Sequence, residues 1–166
     1  MGTQISTPER AVAVFNVITQ ALERHARVQA NMGKCKMWNA CGEEPHGIDA
    51  LTDHSREEGG GRIWVGGHGT LPAERGIIVL GSPLGSAAFV QAALANTLEE
   101  QGRLLTLLPQ LPDLQCAWIL LSMCAAPRSN HTLRTVPPPL SAAYAHSHDA
   151  RVWQCLRECL EAQAVR

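Results

Sequence analysis

The sequence has no excess of either charge, no apolar run long enough to span a bilayer, no cysteine spacing typical of a small disulfide framework, and no evident set of acids, nucleophile and base. With 14 Lys plus Arg against 15 Asp plus Glu, no global basic field advertises nucleic acid or an acidic membrane. The longest nearly apolar run, Cys116 to Ala126, falls short of the roughly 20 residues of a membrane span and suits a buried helix. Met1-Gly2-Thr3-Gln4-Ile5-Ser6 has neither a positive n-region nor an apolar h-region, so no secretory signal is expected. Gly2 and Ser6 fit a myristoylation pattern, but at a level that chance supplies. The 6 cysteines read as reduced thiols of an intracellular protein, cytoplasmic or nuclear, without disulfides.

What is present is a chain of 166 residues, enough for one domain or two small subdomains without metal or disulfide support. Met1 to Gly42 carries 5 basic and 2 acidic residues, Glu43 to Gly85 carries 3 and 7, and the remainder 6 and 6, so only the amino-terminal segment is mildly basic. Thr7-Pro8-Glu9 reads as a helix start, with Thr7 as the cap, Pro8 in the first helical position and Glu9 facing the positive end of the dipole. The helix should run to about His25, packing through Val14, Ile18 and Leu22. Val28 to Asn31 and Lys36 to Ala40 then read as two short strands joined by a turn at Met32-Gly33.

From about 43 to 72 the composition turns to Gly, His, Glu and Asp, with Gly59-Gly60-Gly61 and Gly66-Gly67-His68-Gly69 framing Ile63-Trp64-Val65, which predicts a long flexible insertion. Ile77-Ile78-Val79 reads as a buried strand closed by a tight turn over Gly81-Ser82-Pro83-Leu84-Gly85, where the sheet should end. Beyond it helices are expected: one capped by Ser86 and bent near Gly102, an apolar central one capped by Asp113 and ended by Pro127, a short one through Leu133, and a last one capped by Asp149. The triple proline Pro137-Pro138-Pro139 should break the chain, and Val152, Cys155, Leu156, Cys159 and Leu160 should face inward on the last helix. The fold class is therefore α+β, with an α/β segment over 1–85 and a helical bundle over 86–166.

Candidate chemistry is sparse. His146 and His148 with Cys155 and Cys159 lack a familiar zinc spacing, and Cys35, Cys41, His46 and His54 are looser still, so no metal site is expected. In Gly81-Ser82-Pro83-Leu84-Gly85 the serine is misplaced for a nucleophile elbow, and Gly85 lacks the Lys-Ser/Thr of a phosphate loop. Glu43-Glu44, Glu57-Glu58 and Glu99-Glu100 fall where nothing holds acids rigidly, and His68 reads as a solvated loop residue. With no base placed beside Ser82 or any cysteine, a hydrolase ranks last among functions.

Asn31-Met32-Gly33-Lys34-Cys35-Lys36-Met37-Trp38-Asn39, preceded by the Thr7 helix and followed by Val79-Leu80-Gly81-Ser82-Pro83-Leu84-Gly85, resembles the end of the palm in reverse transcriptases of retrotransposons lacking long terminal repeats. Asp113-Leu114-Gln115-Cys116-Ala117-Trp118, Cys124-Ala125-Ala126-Pro127-Arg128-Ser129-Asn130 and Leu133-Arg134-Thr135-Val136-Pro137-Pro138 resemble the helical region that follows in a divergent branch of those polymerases. The likeness runs from about Ser6 to Leu160.

The resemblance implies a partial palm, a helix plus short antiparallel strands, followed by a helical thumb. It implies that Lys34 approaches the phosphates of an incoming nucleotide and that Leu80-Gly81 forms the turn that grips the primer. Lys36, Arg128 and Arg134 are the candidates for contacts to a nucleic-acid backbone. Cys35 stands where threonine is usual and His131 where an aromatic residue is expected. The family's Tyr-x-Asp-Asp hairpin should precede Thr7, yet no aspartate occurs before Asp49, so the magnesium ions of the intact parent enzyme have no carboxylates here. The expectation is a polymerase fragment, inactive alone and lacking its amino-terminal half, that retains weak binding to an RNA or DNA template-primer. The alternative is a non-catalytic helical interaction module that self-associates through an exposed strand edge or apolar face.

Overall fold

The structure, a computed structural model, describes residues 6–51 and 63–164. It is mostly helical with one two-stranded antiparallel sheet, an α+β chain. Two compact units divide it, one of Met1–Val79 with Leu84–Phe89 and the other of Leu80–Pro83 with Val90–Arg166. Among the described residues no helix is long and apolar enough to cross a membrane.

In the first unit, a 3-10 turn over Pro8–Arg10 leads into α1 (Ala11–Ala26). Thr7 does not cap the helix through its side chain as expected; its carbonyl accepts from the Arg10 amide at 3.1 Å. The Glu9 amide, and then the Thr7 hydroxyl, donate to the Glu9 carboxylate and hold it below the usual carboxylate range. Arg27, with φ at 55°, closes α1 by donating to the Glu23 and Leu22 carbonyls. The expected packing of Val14, Ile18 and Leu22 does not occur, because α1 buries no residue and only Val12 reaches a core. Chain 27–31 leaves the helix irregularly and forms no strand.

The strand pair expected over Val28–Asn31 and Lys36–Ala40 is likewise absent. Met32–Lys34 forms a 3-10 turn, and Met37 pairs with Trp64 in an isolated parallel bridge, donating to the Ile63 carbonyl at 2.8 Å and accepting from the Val65 amide at 3.0 Å. That partner comes from the span expected to be a flexible insertion. Ile48, Ile63 and Trp64 are buried there as a cluster, with Val12, Met32, Met37 and Leu51 packed around them. The few apolar residues of a polar stretch thus make the core of this unit. His54, Glu57, Glu58 and Gly59-Gly60-Gly61 lie outside the described residues.

β1 (Gly76–Val79) and β2 (Ser82–Gly85) form a hairpin, so Ser82–Gly85 is a strand where a tight turn was expected. The turn is Leu80-Gly81, with φ of 50° and 83°. Two positive φ angles mark the type I′ geometry, whose twist matches that of the flanking strands. Pro83 is tolerated because a two-stranded ribbon has an edge on which no amide is needed.

α2 (Ala87–Leu107), which belongs to the second unit from Val90 onward, starts at Ser86, whose hydroxyl accepts from the Phe89 amide at 3.1 Å. It passes through Gly102 without interruption and gives way at Leu108–Gln110, where Pro109 cannot donate. Asp113 caps α3 (Leu114–Leu120) through bonds from the Gln115 and Cys116 amides at 2.7 and 3.3 Å. A π-helical turn, Leu121–Ala125, and a 3-10 turn around Pro127 absorb the missing proline amide and pass the chain to α4 (Ser129–Thr135). α3 is not the central helix expected. Ala117, Leu121 and Ala125 face the core, whereas Trp118 and Met123 are 54% and 73% exposed.

The triple proline starts a helix instead of breaking one. α5 runs unbroken over Pro138–Ala164, because the first turn needs no amide donors and the fixed proline φ is already helical. Pro137 provides the carbonyl that accepts from the Leu140 and Ser141 amides at 2.9 and 3.1 Å. Asp149 therefore lies within α5, exposed to solvent, and caps nothing. Leu105, Leu108, Ala117, Leu121, Ala125, Cys155 and Cys159 form one buried cluster, and Val90, Leu94, Val136 and Tyr144 another. Truncating a fully buried member such as Leu108 to alanine costs roughly 2–5 kcal/mol.

Candidate nucleic-acid interface

The expected site residues fall in both units. Lys34 is exposed at the end of its 3-10 turn, where its amide donates to the Asn31 carbonyl at 3.0 Å. The Cys35 thiol beside it donates to the same carbonyl at 3.4 Å, and burial pushes its pKa up. Lys36 is exposed in the same unit, on the rim of a recess formed with Trp64 and Thr70.

Leu80, Gly81, Arg128 and Arg134 belong to the second unit. Leu80 is 79% exposed at the hairpin tip, presenting a bare isobutyl group beside the turn's backbone. Within that unit the turn is held to α4 by Ser82, whose Oγ lies 3.2 Å from His131 Nε2. A Cβ at Gly81 would come within 3.4 Å of that nitrogen, so the turn and the imidazole are in contact.

α4 positions the imidazole through its opposite face. Ser129, Thr132 and Val136, spaced by three and four residues, are buried. Arg128, His131 and Arg134, spaced by three, are all exposed and follow one another along the surface. An apolar turn, a hydroxyl–imidazole clamp and two guanidiniums are thereby gathered on one unit. Arginine forks suit phosphate oxygens, and an exposed leucine can lie against sugar or base edges.

His131 is the member sequence reasoning missed as a clamp. It stands three residues from both Arg128 and Arg134, a spacing that marks it as their neighbour once α4 is known to be helical. The pairing with Ser82, 49 positions away, has no signal in the sequence. It also corrects the ground on which a hydrolase was ranked last, since a base does stand beside Ser82.

Among the described residues no three His, Cys, Asp or Glu side chains converge to hold a metal. His148, Cys155 and Cys159 are buried on α5 while His146 is exposed, and Cys155 donates to the Leu105 carbonyl at 3.3 Å. No protein-family description, curated protein or solved structure matches the chain. The chain is thus of the α+β class, and its helical unit carries the turn Leu80-Gly81 together with the exposed side chains of Arg128, His131 and Arg134.

Proposed function

We propose that the chain is the carboxy-terminal palm-and-thumb portion of a reverse-transcriptase-like polymerase, one that grips a template-primer and is inactive by itself. The observation that carries the reading is the hairpin tip Leu80-Gly81, seated through Ser82 on α4, the helix that bears Arg134 and directly follows Arg128. A β-hairpin followed by helices is the arrangement in which a primer-gripping turn would meet the backbone-tracking part of a thumb. Lys34 would serve the phosphates of an incoming nucleotide. Magnesium and the carboxylates that hold it would come from the amino-terminal half of the parent enzyme, so chemistry requires that partner.

Anisotropy with a labelled RNA–DNA primer-template, measured across a salt series, tests the reading. Binding should weaken linearly in log salt, and Arg128→Ala with Arg134→Ala should lower the slope by roughly 2, one per lost phosphate contact. Binding that is absent, indifferent to salt, or unchanged in the double variant would sink it. Upstream genomic sequence that encodes no Tyr-x-Asp-Asp segment in any frame would count equally against the polymerase part.

A second reading is favoured by one observation, the outward face of α3 and of the π-helical turn after it, with Trp118, Ile119 and Met123 uncovered. Such a patch suits self-association. Sedimentation over a range of concentrations should then show a dimer that Met123→Lys returns to monomer, and a concentration-independent monomer would refute it.

A further inference from the structure

α5 carries two stripes. Tyr144, His148, Cys155 and Cys159 are buried along one of them. Along the other, Ala143, His146, Ala150, Trp153, Arg157 and Leu160 are all exposed, and they follow one another at alternating intervals of three and four residues. That spacing brings the inner positions of a two-helix coiled coil onto one seam. Trp153 is 64% exposed and Leu160 50%, so the two bulkiest apolar side chains of the seam stand in solvent. A recess of about 380 Å³ lies beside them, lined by Ala150, Trp153, Gln154, Arg157, Glu158 and Glu161, every one from α5. Ala150 is the smallest of these side chains, which makes the recess a notch in the seam.

The seam complements itself when a second α5 runs antiparallel to it. With the two-fold axis level with Cys155, Ala150 faces Leu160 of the second copy and Arg157 faces Trp153 of the second copy, and the symmetry repeats both contacts. The leucine enters the notch that the alanine leaves. The guanidinium meets the indole, the ring that attracts a cation most strongly. Arg157 Nη2 lies 3.7 Å from Glu161 Oε1, so its charge keeps a partner when a ring covers it. At the rim, Ser147 opposes Glu161 of the second copy and Gln154 opposes its own counterpart, which pairs polar groups with polar groups. Charge selects this arrangement over the others. Parallel pairing in register sets Arg157 against Arg157, and the antiparallel register half a heptad away sets Arg157 against His146, so neither gives the guanidinium an aromatic face.

We infer that the outward face of α5 is a docking site for the α5 of a second copy of this chain, paired antiparallel through Ala150 with Leu160 and Trp153 with Arg157. The matched stretch, residues 150–160, is about 15 Å long, so the pairing is reversible and concentration-dependent, not permanent. None of its residues belongs to α4 or to the uncovered patch of Trp118, Ile119 and Met123, so it stands apart from both readings of function.

Sedimentation equilibrium of the full chain tests the pairing and should show a reversible equilibrium between monomer and dimer. Trp153→Ala and Arg157→Glu should each raise the dissociation constant roughly tenfold or more. Both residues are exposed, so the circular dichroism and the melting of dilute protein should stay those of the parent. A size exchange checks the register. Ala150→Leu fills the notch and should weaken the dimer to a similar degree, and Leu160→Ala added to it should restore the parental dissociation constant, because a leucine again faces an alanine. Met123→Lys should leave this dimer intact, whereas a dimer built on the α3 patch dissociates. A chain that stays monomeric at every concentration would overturn the inference, and so would a dimer indifferent to Trp153→Ala and Arg157→Glu. A dimer lost in Met123→Lys but kept in Trp153→Ala would assign the association to α3 instead. Weakening by Ala150→Leu that Leu160→Ala does not reverse would overturn the antiparallel register.

Discussion

Gly102 of α2 and Arg151 of α5 share one space: a Cβ built on the glycine would lie 2.8 Å from Arg151 Nη1. From that position Nη1 donates to the Leu98 carbonyl at 2.8 Å and Nη2 pairs with Glu99 at 2.5 Å. A glycine inside a helix ordinarily costs roughly 0.5–1 kcal/mol relative to alanine. Here the missing side chain admits the guanidinium. Gly102→Ala should therefore fail to stabilise the protein and instead destabilise it by about 1 kcal/mol, since the arginine must leave a carbonyl bond to make room. In an Arg151→Ala background the same change should gain roughly 0.5–1 kcal/mol. Denaturant unfolding of the four proteins reads the coupling, and additive effects would show that the two residues do not compete.

The reach of sequence reasoning is visible at single residues. Ser86 and Asp113 were legible as helix caps because capping is decided within three residues. Pro137-Pro138-Pro139 was misread because proline is compatible with a first turn as well as with a break, and only the position of the turn decides between them. Trp64 illustrates the opposite failure. Its burial depends on Met37 and Ile48 arriving from other parts of the chain, while the local composition says loop. Leu80 and Gly81 were named from the resemblance and Arg128 and Arg134 from their charge alone, but nothing local revealed that His131 of α4 stands beside Ser82.

Cys155 gives the protein a defined sensitivity to alkali. Burial, reinforced by Cys159 one helical turn away, pushes its pKa from 9.0 up to about 12. A thiol with a raised folded-state pKa favours the folded state while it stays protonated. Its contribution is complete below about pH 9 and is lost as the pH climbs toward about 12. Melting temperature should fall through that window, and the fall should be shallower in Cys155→Ala. Equal slopes in the two proteins would count against the thiol. At neutral pH, Cys41, Cys116 and Cys124 are exposed and should alkylate first, leaving Cys155 and Cys159 protected until unfolding.

Ser82 has a base at hydrogen-bond distance, but among the described residues no third member pairs with the imidazole to orient it for catalysis. Among the described residues no carboxylate forms an ion pair with His131. The clamp is also exposed to water. Ser82 should accordingly remain unlabelled by a fluorophosphonate under conditions that saturate a serine hydrolase. Labelling that disappears in Ser82→Ala would revive the hydrolase reading and demote the clamp to half of an active site.

Leu80 offers a way to separate what the hairpin needs from what it does. Its φ of 50° is left-handed, a conformation that costs a β-carbon-bearing residue roughly 1–2 kcal/mol and that asparagine tolerates better. Asn-Gly is moreover the favoured pair for a type I′ turn. At 79% exposure, replacing the leucine forfeits little burial. Leu80→Asn should therefore stabilise the protein by roughly 0.5–1 kcal/mol. If the leucine is retained for contact with a primer, the same variant should bind primer-template several-fold more weakly although it is better folded. Thermal unfolding and anisotropy on one preparation read both quantities. A gain in stability with no loss of binding would remove Leu80 from the interface, and no gain in stability would show that the turn is not under strain.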